Sequence, residues 1–311
     1  VSENYPNQTQ YRGRFAPSPT GPLHFGSLVS AVASYLQAKS RGGQWLVRME
    51  DIDPPREPAG AADDILRTLE TYALYWDESI LYQSTRRDGY EEALLHLSQL
   101  HLTYPCTCSR KQIREVLSRT NKKVYPETCR GINHTRSPHA IRLKTEFQDI
   151  HITDGIQGLF SQNIREHVGD FVVKRADGYY AYQLAVVVDD AYQKITEIVR
   201  GSDLLDNAPR QVFLQQMLDF PSPQYVHIPI ATTNGDKMSK QTQAPPIAKQ
   251  NAVQTSVQVL KFLGQSVPEQ WEFSTIEELW QWAIPRWDLA CVPKVFSLEY
   301  SDSQKNASGH R

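Results

Sequence analysis

The hydrophobic pattern changes period twice within the first fifty residues. Residues 11–15 read as a short strand. It runs into Ala16-Pro17-Ser18-Pro19-Thr20-Gly21-Pro22, where prolines remove donors and fix φ, so no helix forms there. Leu28, Val32, Tyr35 and Leu36 then recur at i, i+4, i+7 and i+8, one face of a helix that Arg41-Gly42-Gly43 stops. Trp45-Leu46-Val47-Arg48-Met49 reads as a buried strand ending at Glu50-Asp51. Strand, glycine-containing loop, helix and strand open a parallel sheet, so the expected fold class is α/β. Helical patterns follow at 61–73 and 87–100.

Residues 101–165 have few long apolar runs and read as an insertion held by something other than a core. Regular structure resumes at 171–174. The segment 182–190 is ambiguous: its β-branched run Val186-Val187-Val188 suggests a strand, while its length allows a helix. Strands are expected at 196–199 and 225–230, and a helix at 210–218. The remainder reads as helical, with Trp271, Trp280, Trp282 and Trp287 as packing residues. The expected organisation is a core half at 11–100, the insertion at 101–165, a second core half at 166–241 and a small helical subdomain at 242–300.

Composition sharpens this in three ways. Apolar residues make up 40% and charged residues 22% of 311, which excludes a mainly disordered chain. No apolar run is long enough to span a membrane, and residues 1–10 lack the basic and apolar regions of a signal peptide. The net charge of −2 hides an asymmetry: positions 101–150 hold ten Lys/Arg against four Asp/Glu. A basic island on an acidic body suits a polyanion, although a solvated charged face would look the same.

Leu23-His24-Phe25-Gly26-Ser27 opens the first helix directly after the first strand. A helix N-terminus presents unpaired N–H groups and the positive end of its dipole, which suits phosphate. Gly26 permits close approach to the backbone, and His24 can donate to a phosphoryl oxygen. Far along the chain, Gly235-Asp236-Lys237-Met238-Ser239-Lys240 offers two lysines three residues apart in a loop. Such a loop can neutralise charge that develops on a triphosphate. Either motif alone is common; their order and separation make the combination specific.

The run Arg14-Phe15-Ala16-Pro17-Ser18-Pro19-Thr20-Gly21-Pro22-Leu23-His24-Phe25-Gly26 resembles the first motif of class I aminoacyl-tRNA synthetases, in the glutamyl version. Lys237-Met238-Ser239-Lys240 is similar to their second motif. Arg48-Met49-Glu50-Asp51-Ile52-Asp53 and Ile198-Val199-Arg200-Gly201 also look like glutamyl-type blocks. Ser27 stands where the familiar form has a second His, and Gln241 where many members have Ser. The resemblance covers about residues 11–241. It implies a Rossmann-type nucleotide-binding core, with His24, Lys237 and Lys240 catalytic and His24, Gly26, Ser27 and Lys240 on ATP. It also implies that Arg14, Ala16, Pro17, Ser18, Glu50, Tyr182 and Arg200 contact L-glutamate. The chemistry agrees: guanidinium forks suit carboxylates and Glu50 can receive the ammonium. Mg²⁺ is expected with ATP. Asp51 and Asp53 either position Arg56 or face water.

Four cysteines are too few for a disulfide scaffold, and Cys106, Cys108 and Cys129 cluster in the insertion. They read as one structural zinc site in a reducing, cytoplasmic setting. Chemistry alone favours His134 as the fourth ligand. Resemblance to a shortened glutamyl-type family, which pairs Cys-x-Cys with Tyr-x-x-x-Cys, points to Tyr125.

Only 71 residues follow Lys240, too few for a large helical anticodon-binding region. The sequence therefore resembles that shortened family, whose members activate glutamate without tRNA and esterify it onto queuosine at the wobble base of tRNA(Asp). The expected partners are glutamate, ATP and queuosine-bearing tRNA(Asp), with the basic insertion on RNA; a monomer is the expected state. The alternatives are a short glutamyl-tRNA synthetase acting at a tRNA 3′ end, a small-molecule adenylate-forming ligase, and an inactive zinc-bearing RNA-binding protein.

Overall fold

In a computed structural model, the structure describes residues 10–120, 123–132, 138–233, 235–238 and 245–300. β1 (Arg12–Phe15) and β2 (Gln44–Met49) pair in parallel through the crossover helix α1 (Phe25–Ser40). α1 begins one residue after His24, whose Nδ1 accepts the Ser27 N–H at 3.2 Å. This cap satisfies one of the orphan donors of the first turn. α2 (Ala61–Thr71), β3 (Leu81–Tyr82) and α3 (Arg87–Gln99) follow, with β3 parallel to β2.

The basic region holds more regular structure than its sequence suggests. β4 (Thr103–Cys106), α4 (Arg110–Thr120), β5 (Ala140–Leu143), the hairpin of β6 (Asp149–Asp154) and β7 (Gly158–Asn163), α5 (Ile164–His167) and β8 (Phe171–Lys174) succeed one another. β4, β5 and β8 form an antiparallel sheet. β6 alternates buried and exposed positions along its whole length, the period-two signal of a half-buried strand, carried by only two isoleucines. Leu143, Ile150 and Ile152 join a large apolar cluster with α3, α6 and α7 residues, so this part of the region does have a core. Tyr104, Cys106, Tyr125 and Cys129 form a small cluster of their own.

The ambiguous segment is a helix, α6 (Tyr182–Tyr192). Residues 184–190 are all buried, so the three valines pack on every side of a core helix and tertiary contacts override their strand preference. β9 (Glu197–Gly201), α7 (Ala208–Met217) and β10 (Gln224–Ile228) complete a second parallel pair. The two ladders adjoin where the Thr196 N–H donates to the Arg12 carbonyl at 2.9 Å. The strands then run β3-β2-β1-β9-β10, and the order reverses between β1 and β9. Such a switch point leaves a crevice beyond the strand ends, where ligands of open α/β sheets bind.

β11 (Ile230–Thr233), β12 (Asp236–Lys237), α8 (Ala252–Phe262), α9 (Ile276–Ala283) and β13 (Ser297–Glu299) close the described chain. β13 lies in the stretch that reads as helical; it is a strand because β11 supplies a parallel partner. α8 and α9 share one apolar cluster with α1 and β2. Trp280 Nε1 donates to the Tyr72 carbonyl at 2.7 Å, and Trp287 Nε1 to Gln37 Oε1 at 2.7 Å. No described helix is long and apolar enough to cross a membrane.

Candidate active site

A cavity of about 470 Å³ opens at the switch point. Arg14, Ala16, Pro17, Ser18, His24, Gly26, Ser27, Glu50, Tyr182, Arg200 and Lys237 all line it. These are the residues expected to bind glutamate and ATP, with the exception of Lys240, which lies outside the described residues. β1 carries Arg14 to the crevice, β2 leads into Glu50, α6 starts at Tyr182 and β9 carries Arg200. Sequence positions up to 223 apart thus meet because each follows or ends a core element.

The first motif and the lysine loop touch. A Cβ at Gly26 would lie 3.4 Å from the Met238 carbonyl oxygen and 3.3 Å from the His24 ring, so the loop packs directly on the start of α1. Met238 is pinned by its N–H to the Ala231 carbonyl at 2.9 Å, and the Ile247 N–H donates to the Leu23 carbonyl at 3.0 Å. Lys237 Nζ donates to Asp203 Oδ2 at 2.5 Å at the cavity wall. Because His24 Nδ1 accepts the cap hydrogen bond, a neutral His24 carries its proton on Nε2 and is a donor there.

Behind Arg14 and Glu50 lies a buried charge network. Asp190 Oδ1 accepts from Arg14 Nε at 3.1 Å and from Arg48 Nη1 at 2.8 Å, and Arg48 Nη2 reaches Glu50 Oε1 at 3.4 Å. Burial pushes Asp190 upward, but Arg48 and Arg14 overcome it and hold its carboxyl below the usual carboxylate range. For Glu50 burial wins over the same two arginines and its carboxyl is raised. Burial also raises the Tyr182 phenol, which keeps it a hydrogen-bond donor. Arg200 donates through Nε to His227 Nε2 at 2.9 Å, through Nη1 to Gln211 Oε1 at 2.9 Å and through Nη2 to the Leu204 carbonyl at 3.2 Å.

Sequence reading misses Arg48, Asp190, His227 and Asp154. A signal exists for Arg48 and His227, each a polar residue among apolar ones on a buried strand, since a buried charge or imidazole needs a buried partner. Asp53 does pair with Arg56, and also with Arg175 at 3.1 Å. Asp51 instead accepts from the Ser84 N–H at 2.8 Å and the Ser84 hydroxyl at 2.6 Å.

Away from the cavity, the ligand sulfurs of Cys106, Cys108 and Cys129 lie within 4.8 Å of one another. Cys108 Sγ is 3.4 Å from Cys129 Sγ, and Tyr125 Oη is 3.3 Å from Cys106 Sγ and 3.5 Å from Cys108 Sγ. The Arg142 guanidinium stacks 3.7 Å above the Tyr125 ring. Tetrahedral zinc with bonds of about 2.3 Å to sulfur and 2.0 Å to oxygen has edges of roughly 3.8 and 3.5 Å, so the donor set fits a metal. His134 lies outside the described residues.

A nucleotide-type crevice between two parallel ladders, with a capped helix and a lysine loop at its mouth, defines a class I synthetase core. Residues 10–283 accordingly match the family described as tRNA synthetases class I (E and Q), catalytic domain. The chain is 50% identical to the glutamyl-Q tRNA(Asp) synthetase of Dechloromonas aromatica over 291 residues, covering 91% of this chain and 96% of that one. It is 45% identical to the enzyme of that name from Pseudomonas fluorescens, covering 93% and 96%. A glutamate-tRNA synthetase from Elizabethkingia anophelis superposes with a TM-score of 0.80 at 25% identity, covering 95% of this chain and 69% of that one. A glutamate tRNA ligase from Elizabethkingia meningosepticum, in complex with its amino acid, gives 0.76 at 25% identity, covering 94% and 67%. The chain belongs to the glutamyl-Q tRNA(Asp) synthetase family within the class I synthetases.

Proposed function

We propose that the protein activates L-glutamate with ATP to glutamyl-adenylate without tRNA, then transfers glutamate to a hydroxyl of the queuosine base at the wobble position of tRNA(Asp), with AMP as the leaving group. One observation carries this reading: Arg14, Arg200, Glu50 and the His24-Gly26 helix start line one cavity. Arginines supply donors for two carboxylates and Glu50 an acceptor for the ammonium. The α-carboxylate oxygen attacks the α-phosphorus of ATP, and the bond to pyrophosphate breaks. The site's work is positioning and charge stabilisation, so it needs no general base. His24 Nε2–H and the α1 N–H groups suit the phosphates; Lys237 and Lys240 neutralise the leaving pyrophosphate. Mg²⁺ enters with ATP. The family names support the tRNA step, and the basic character of 101–150 suits an RNA backbone.

In the same reading, Cys106, Cys108, Tyr125 and Cys129 hold one structural zinc that ties together residues 103–132. The short Tyr125–sulfur distances support Tyr125 as fourth ligand. We take the protein to act as a cytoplasmic monomer, a setting that supplies ATP, tRNA and reduced thiols.

Glutamate-dependent ATP–pyrophosphate exchange in the absence of RNA tests the first half. Charging of a 3′-truncated, queuosine-bearing tRNA(Asp) tests the second. Exchange that requires tRNA, or charging abolished by truncation, would replace this reading with that of a short glutamyl-tRNA synthetase.

A further inference from the structure

Behind Arg200 stands a buried acid–imidazole pair that does not line the cavity. Arg200 Nε lies 2.9 Å from His227 Nε2, and His227 Nδ1 lies 2.6 Å from Asp154 Oδ2. Both the His227 and Asp154 side chains are fully buried. Arginine can only donate, so His227 Nε2 must accept, and its single proton sits on Nδ1 facing Asp154. The other oxygen of Asp154 is committed as well. Oδ1 accepts the N–H groups of Ile156 at 3.0 Å, Gln157 at 2.9 Å and His227 at 3.1 Å. Asp154 ends β6, and the hairpin tip docks on β10 through the Gly155 N–H to the Tyr225 carbonyl at 2.9 Å and Gln157 Nε2 to the His227 carbonyl at 2.9 Å. With Gln211 and the Leu204 carbonyl taking one N–H each, three of the five donors of Arg200 are engaged. Two remain to grip a carboxylate.

We propose that Asp154 and His227 are positioning residues that lock the imidazole in its Nδ1–H tautomer and thereby aim the Arg200 fork at a glutamate carboxylate. The proposal deepens the function given above and rests on Arg200 being a glutamate contact. Asp154→Asn isolates it. The three backbone N–H groups keep an oxygen at Oδ1, so the new amide NH₂ must face His227 Nδ1. The ring must then carry its proton on Nε2, where it opposes Arg200 Nε–H. Packing and the hairpin contacts survive; the orientation of Arg200 does not.

Pyrophosphate exchange on the full chain reads this out. For D154N the KM for glutamate rises by about tenfold or more, while the KM for ATP stays within about twofold. His227→Leu gives the same loss. His227→Gln, whose amide can accept from Arg200 and donate to Asp154, recovers most of it. Wild-type glutamate KM in D154N overturns the lock. Arg200→Lys separates the two readings. An unchanged glutamate KM there removes Arg200 from the pocket, whereas a raised one beside a normal D154N refutes the lock alone. Nitrogen-15 shifts of His227 in the unsubstituted protein give a measure that no misfolded variant can spoil. The Nδ1–H tautomer is expected, and the Nε2–H tautomer would overturn the proposal.

Discussion

Asp190 shows how one side chain links stability to the site. It is buried, and it is ionised because Arg48 and Arg14 outweigh the cost of burial. Asp190→Asn leaves two buried guanidinium groups against a neutral amide, which should cost about 3–5 kcal/mol near neutral pH. The acid limb carries a second signature. A carboxylate with a lowered folded value adds stability above its unfolded value, near about 3.9, and loses it as pH falls through the folded value. Wild-type stability should therefore fall more steeply than that of D190N below about pH 4. Urea midpoints on either side of that pH check both statements. In the lysine motif, Lys240→Ala should slow glutamate-dependent exchange by about a hundredfold or more with an unchanged thermal midpoint. Near-normal exchange would remove Lys240 from the chemistry.

Among the elements, those at 103–132 have the smallest apolar cluster of their own. Their apolar cluster consists of Tyr104, Cys106, Tyr125 and Cys129, with Cys108 and Ile113 packed against it, and α4 buries none of its residues fully. So small a cluster cannot offset the chain entropy of the segment, and in the proposed reading a closed metal site would supply the missing free energy. Cys108→Ser should lower bound zinc from one per chain to a small fraction and speed proteolysis within this segment. Elemental analysis and limited digestion measure the two effects. The hairpin of β6 and β7 belongs to the same sequence region but behaves differently, because Ile150 and Ile152 reach the large core. That alternation of Ile150 and Ile152 with polar residues is legible in the sequence, but too short to mark a core strand on its own.

Over the whole molecule, α8 and α9 complete the apolar cluster of the first core half. Trp280 is nearly fully buried and hydrogen-bonded to Tyr72. Trp280→Ala should cost about 3–5 kcal/mol and lower one common unfolding transition. A separate, lower transition for the C-terminal helices would show instead that they fold independently; calorimetry distinguishes the two.

The sequence by itself determined the parallel core, the residues at its strand ends and the thiol cluster. The core and the cysteines come from local signals, proline spacing, a helix stripe and cysteines close in the chain, whereas the strand-end residues came only through the resemblance of their motifs. The state of 182–192 was decided by tertiary packing, because three adjacent valines favour a helix only when every side meets core. The partners of Arg48, Asp190 and Asp154 were also beyond local reading. A buried charge announces that it needs a counter-group, but which distant residue answers depends on which strands and helices stack beside it.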